Sequence, residues 1–141
     1  MRANRQSIIL VWLWMALGGL PAAAQDPGPA GPVAAIVDRI GIEDFRRLHA
    51  RGAVYPIDVR SADAYKAGHI PGAVNVPLDQ IERRADETRA RAKGRAIVTY
   101  CSCPDEHASL AAARLLAGKH VANVRALVGG YPAWVSGKGW R

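Results

Sequence analysis

A chain of 141 residues, half of them apolar, has room for one hydrophobic core once a short leader is set aside. Its net charge of +7 comes from Arg and Lys alternating with Asp and Glu, as in "IERRADETRARAKGR". There is no block of like charge and no interleaved aromatic, so the pattern reads as a solvated helix face and not as a nucleic-acid or membrane-surface patch.

The chain opens with "MRANRQSIILVWLWMALGGLPAAAQ". Arg2 and Arg5 make a basic start, Ser7 to Leu20 is uncharged and mostly apolar, and "AAAQ" supplies small residues behind Pro21. These are the three parts of a secretory signal peptide over residues 1–24, with cleavage after Ala24. The apolar block is short for a membrane span, which needs about 20 apolar residues. An uncleaved anchor is the competing reading, and either way the basic start directs the rest of the chain outward. The expectation is an exported protein, in a bacterial periplasm, with no stable membrane insertion after cleavage. Residues 25–34, which begin "QDPGPAGP", read as a disordered linker, and residues 35–141 as one domain.

Within that domain short apolar runs alternate with helical patterns. "GIEDFRRLHARG" spaces Ile42, Phe45 and Leu48 as a helix, with acidic residues early and Arg late, as the helix dipole favours. "AVYPIDV" reads as a strand, and "SADAYKAG" as a helix capped by Ser61 and stopped at Gly68. "GAVNVPL" is another short strand. "DQIERRADETRARAKG" is predicted as one polar helix capped by Asp79 and ended by Gly94. "AIVTYC" is a buried strand, "ASLAAARLLAGKH" a helix, "VANVRAL" a strand, and "GGYPAWVSGKGW" a turn with a short helix. Alternating strands and helices predict an α/β fold: a parallel β-sheet flanked by helices on both faces. Ligands of such sheets sit at the carboxyl ends of the strands. Cys101 lies at one such end, and Asp58 with Arg60 at another.

Cys101 and Cys103 are the only cysteines, too few for a disulfide framework. A cysteine between a buried strand and a helix start meets loop amides and the positive end of the helix dipole. Both lower a thiol pKa, and the thiolate is the nucleophile. Cys101 is therefore the candidate catalytic residue.

At this point the residues match a family. "YPIDVRSADAYKAGHIPGAVNVPL" resembles the first signature of rhodanese-fold sulfurtransferases. "IVTYC" resembles their active-site strand, and "LVGGYPAW" their closing turn. The resemblance covers about Ala35 to Trp140. It implies a rhodanese-like fold and a thiosulfate sulfurtransferase-like activity without cofactor. Cys101 would take a sulfane sulfur from a small donor, become a persulfide, and pass the sulfur to a thiol or cyanide. Loop amides would hold the terminal sulfur, and Arg60 of the Asp-x-Arg motif would contact an anionic donor. The substrate-binding set implied is Arg60, Ser102, Cys103, Asp105, Glu106 and His107, with Asp58 and His69 in support.

The loop departs from the family pattern. Many rhodaneses carry Arg five residues after the cysteine, where this chain has Glu106 preceded by Asp105. Two carboxylates at the loop would repel a dianion and raise the thiol pKa, which predicts a poor response to thiosulfate. "CSCPDE" resembles a subset of the family with Cys-x-Cys-Pro-x-Glu. Three readings of Cys103 stand side by side: a resolving thiol for Cys101, a passive loop residue, or a soft-metal ligand with Cys101 and His107. No resident metal is the expectation. Asp58 is expected to hold Arg60 or backbone amides, His69 to fix the Pro-Gly turn, and His107 to tune the loop. Tyr131 and Trp134 are expected to pack the terminal helix. A phosphatase or arsenate reductase would need an arginine at the end of the loop, and none is present. The remaining alternative is a non-catalytic module that carries sulfur, senses oxidants or docks a protein partner.

Overall fold

The computed structural model describes residues 36–137. The predicted leader, its cleavage site and the linker lie outside that range. Among the described residues, no helix is long and apolar enough to cross a membrane. Five strands, β1 (Asp38–Ile40), β2 (Val54–Asp58), β3 (Val74–Asn75), β4 (Ala96–Tyr100) and β5 (Val124–Leu127), form one sheet in the order β1-β5-β4-β2-β3. Every pairing is parallel. Among the described residues five α-helices are interleaved: α1 (Ile42–Ala50), α2 (Ala62–Ala67), α3 (Ala85–Ala92), α4 (His107–Gly118) and α5 (Gly130–Ser136).

The central strands β2 and β4 are buried almost throughout, which explains their unbroken apolar sequence. Side chains alternate between the two faces. Ile57, Ile97 and Cys101 pack on one face with Ala112 and Leu116 of α4 and Ala85 of α3. Val98 and Tyr100 pack on the other with Phe45 of α1 and Trp134 of α5. Phe45 is fully buried, a contribution of roughly 1.5–3 kcal/mol.

Ser61 caps α2 as predicted, its hydroxyl accepting the Ala64 amide at 3.3 Å. The predicted helix from Asp79 to Gly94 is instead two pieces. Leu78–Gln80 is a single 3-10 turn, and α3 begins only at Ala85. Asp79 lies inside that turn and makes no side-chain cap. Ile81, fully buried, keeps helical backbone, and the break comes at Arg84, whose φ of −103° and ψ of 14° are not helical. The edge strand β1 was not predicted. It is three residues long with Asp38 and Arg39 exposed, so it carries no alternating apolar signal.

Candidate active site

Strand β4 runs out at Tyr100 and delivers Cys101 to the carboxyl edge of the sheet. Cys101 is only 2 % exposed, and it lines a cleft of about 390 Å³ with Val59, Arg60, Ala64, Ser102 and Cys103. Its sulfur has two hydrogen-bond partners. The Cys103 amide donates to it at 3.4 Å. The thiol can donate to Ser109 Oγ at 3.7 Å, and Ser109, fully buried, donates in turn to the Glu106 carbonyl at 2.9 Å. The sulfur thus has a donor for its charged form and an acceptor for its neutral form.

Two long-range ties hold the loop that carries this thiol. The Tyr131 amide donates to the Cys101 carbonyl at 2.9 Å. Gly130 lies directly against that carbonyl with φ of +50°, and a Cβ there would collide with the carbonyl oxygen. The second tie is Glu106. It adopts left-handed backbone with φ of +59°, and its carboxylate folds back to accept the Gly129 amide at 2.8 Å. Its other oxygen lies 3.5 Å from Arg39 Nε. The expectation that Glu106 faces the donor is therefore corrected: the carboxylate is buried and spent on the turn between β5 and α5.

Asp58, at the end of β2, is fully buried. Its Oδ1 accepts the Arg60 backbone amide and Nε, both at 3.0 Å, and its Oδ2 accepts a terminal Arg60 nitrogen at 2.6 Å. The same guanidinium donates to the Gly68 carbonyl at 2.6 Å and lies over the Tyr131 ring, 4.2 Å from its centroid. The hydrogen bonds it donates to Asp58 hold the Arg60 pKa above its ordinary value. Arg60 lines the cleft, but it is no free rim cation, because Asp58 already neutralises it.

On the outer side of the loop, His107 Nδ1 lies 2.8 Å from Asp105 Oδ1, and its Nε2 lies 4.0 Å from Cys103 Sγ. Neither Asp105 nor His107 lines the cleft, and both are largely exposed. The hydrogen bond from His107 holds the Asp105 carboxyl below its usual range. Burial and the neighbouring Cys101 push the Cys103 thiol up. His69 lies away from the cysteines. Its ring stacks on Tyr65 with centroids 3.8 Å apart, and Nδ1 is 3.0 Å from the Tyr65 carbonyl.

A parallel sheet presenting a cysteine loop at its carboxyl edge invites comparison with known proteins. The family model of the rhodanese-like domain matches residues 41–137. The chain belongs to this family. Among curated rhodanese relatives it is similar to the thiosulfate sulfurtransferase GlpE of Pseudomonas entomophila. The two are 34 % identical over 101 residues, covering 70 % of this chain and 84 % of that one. It is also similar to the HTH-type transcriptional regulator Rv0324 of Mycobacterium tuberculosis, at 39 % identity over 64 residues. That match covers 45 % of this chain and only 27 % of the regulator, so the chain spans about a quarter of that relative. Among solved rhodanese structures, the human single-domain sulfurtransferase TSTD1 shares the fold with a TM-score of 0.60 at 24 % identity. The likeness covers 71 % of this chain and 96 % of that one.

Of the residues singled out from sequence, the rhodanese fold gathers Arg60, Cys101, Ser102 and Cys103 around one cleft. It leaves Asp105 and His107 on the outer side of the loop and turns Glu106 away. Among the described residues no group of three or more His, Cys, Asp or Glu side chains is placed to hold a metal ion. Sequence reasoning missed Ser109, whose part depends on α4 bringing its first turn under Cys101. It also missed Gly130, whose repeated glycine ("GG") was the available signal.

Proposed function

We propose that this protein is a sulfurtransferase that works through a persulfide on Cys101. The thiolate attacks the outer, sulfane sulfur of a donor. The donor's sulfur–sulfur bond breaks and its electron pair leaves with the remainder of the donor, sulfite if the donor is thiosulfate. An acceptor thiolate or cyanide then attacks the outer sulfur, and Cys101 departs as thiolate. The chemistry is covalent catalysis in two displacements.

The observation that carries this reading is the Cys101 sulfur at the cleft, with the Cys103 amide donating to it. Similarity to a thiosulfate sulfurtransferase supports it. Arg60 is the one cation among the cleft-lining residues, and it is paired with Asp58. A dianion such as thiosulfate gains little from a neutralised pair, so neutral or singly charged persulfides are the favoured donors. The second reading is a sulfur carrier with slow turnover, favoured by the burial of the thiol. The N-terminal sequence supports an exported location for either.

The test is to incubate the purified protein with a sulfane donor and weigh it. Gain of one sulfur atom that cyanide removes, absent in Cys101→Ser, is the expected result. A protein that gains no sulfur from thiosulfate, polysulfide or a low-molecular-weight persulfide is not a sulfurtransferase. Loading without turnover selects the carrier.

A further inference from the structure

Cys103 shares the cleft with Cys101 yet differs from it in two ways. It is half-exposed where Cys101 is buried, and it has its own partner outside the cleft, His107 Nε2 at 4.0 Å. His107 is oriented in turn by Asp105 at 2.8 Å. With Nδ1–H donating to the carboxylate, Nε2 is left as the acceptor facing the Cys103 thiol. A thiol, an imidazole and a carboxylate in this order are the parts of an activated nucleophile, here drawn from five consecutive residues. The sulfurtransferase reading uses none of the three.

We propose that Cys103 is a second station for the sulfur, receiving it from Cys101 and presenting it outside the cleft to acceptors too large to reach the buried thiol. This rests on the Cys101 persulfide proposed above. In the step, His107 Nε2 takes the Cys103 thiol proton. The Cys103 thiolate attacks the outer sulfur of the protonated Cys101 persulfide, forming a new sulfur–sulfur bond. The old bond breaks, and its electron pair goes to Cys101 Sγ, where the Cys103 amide stabilises the thiolate. The proton on the transferred sulfur stays with it. One persulfide is lost and one is formed, so no oxidant or reductant is consumed.

Access decides which sulfur is attacked. Cys101 is buried, and the open cleft it shares with Cys103 is the room available to an outer sulfur. Thiol exchange depends on which sulfur can be approached, and the Cys103 amide is in place to receive the departing Cys101 sulfur. Burial and the neighbouring Cys101 push the Cys103 thiol up, so the attack needs a base within reach, and His107 Nε2 is the one at hand. The chemical class of acceptor is thus a macromolecular thiol, one carried on a protein surface.

The experiment loads the protein with inorganic polysulfide, removes the excess, quenches aliquots with an alkylating agent over time and locates the extra sulfur by peptide fragmentation. Sulfur on Cys101 first and Cys103 later is expected. In His107→Gln it should remain on Cys101, slowed by about a hundredfold, the lower end for a general base. In Cys103→Ser it should remain on Cys101, with discharge to the free thiol of serum albumin lost to a far greater extent than discharge to cyanide. Sulfur that stays on Cys101 in the unmodified protein overturns the relay and leaves the sulfurtransferase reading standing. So does a Cys101–Cys103 disulfide with release of hydrogen sulfide, which would make Cys103 a resolving thiol. Equal loading of Cys103 in Cys101→Ser also overturns the relay. Failure of any cysteine to load removes the sulfurtransferase reading itself.

Discussion

The carboxylate of Glu106 accepts the Gly129 amide at 2.8 Å, joining the end of the cysteine loop to a turn 23 residues further along the chain. Viewed in sequence, Glu106 stands where a donor-binding cation is common in the family. In the folded chain it is a strut. Its left-handed backbone aims the side chain away from the cleft, toward Gly129 and Arg39.

Glu106→Arg should therefore lower stability without improving use of thiosulfate. The substitution strips the Gly129 amide of its acceptor and sets a second cation beside Arg39, a cost of about 2 kcal/mol. For a domain of this size that lowers Tm by roughly 8–16 °C. Glu106→Gln, which keeps an oxygen for Gly129, should lose less. Thermal melts and thiosulfate kinetics at low salt check both. A gain in thiosulfate turnover with unchanged Tm would return Glu106 to the donor site.

Arg60→Ala should behave as a structural lesion first. Asp58 is fully buried, and three of its hydrogen-bond contacts come from the Arg60 side chain. Removing one partner of a buried pair costs about 3 kcal/mol or more, a fall in Tm exceeding about 10 °C. Restoring neutrality with Asp58→Asn in the same chain should recover part of it. A melt within a degree or two of the parent protein would show that the pair contributes nothing to folding.

Gly130→Ala should damage both stability and chemistry. The new Cβ would press on the Cys101 carbonyl, and the left-handed backbone costs a non-glycine residue about 1–2 kcal/mol even in open space. Gly52→Ala is the control: its φ is +66° but nothing lies within 4 Å of the added carbon, so it should pay only the backbone term. Persulfide formation on Cys101 should slow in the first variant and hold in the second. Equal effects would mean that contact with Cys101 is unimportant.

Export can be tested directly. Expressed in a bacterium at full length, the protein should be recovered from the periplasm beginning at Gln25. Edman sequencing reading Met1, with the protein in the membrane fraction, would identify the apolar block as an anchor.

What the sequence made legible follows contact range. The Ser61 cap is settled within three residues, and it formed. The alternation of buried strands and helices survives in every central element, because a run such as Ala96–Tyr100 can hardly be anything but an interior strand. Asp79 failed as a cap because the 3-10 turn starts one residue earlier, at Leu78, and places it inside. Strand β1 was invisible because its pairing with β5, and not its composition, makes it a strand. At the site, Cys101 was found from its junction alone. The pairing of Asp58 with Arg60 was expected and is present, whereas the direction of the Glu106 side chain was not foreseen, since a motif gives position but not which way a charge points. Gly129 and Gly68, the backbone groups that take up those charges, lie well away in sequence.

The bond from the Tyr131 amide to the Cys101 carbonyl has a use as a spectroscopic handle. That amide belongs to the first turn of α5, where helix amides have no partner within the helix. Its exchange with deuterated solvent therefore reports on one thing, the seating of the cysteine loop against the terminal helix. A donor or acceptor that loosens the loop should speed exchange at Tyr131, and one that tightens it should slow exchange there, while amides deep in β4 keep time with global unfolding.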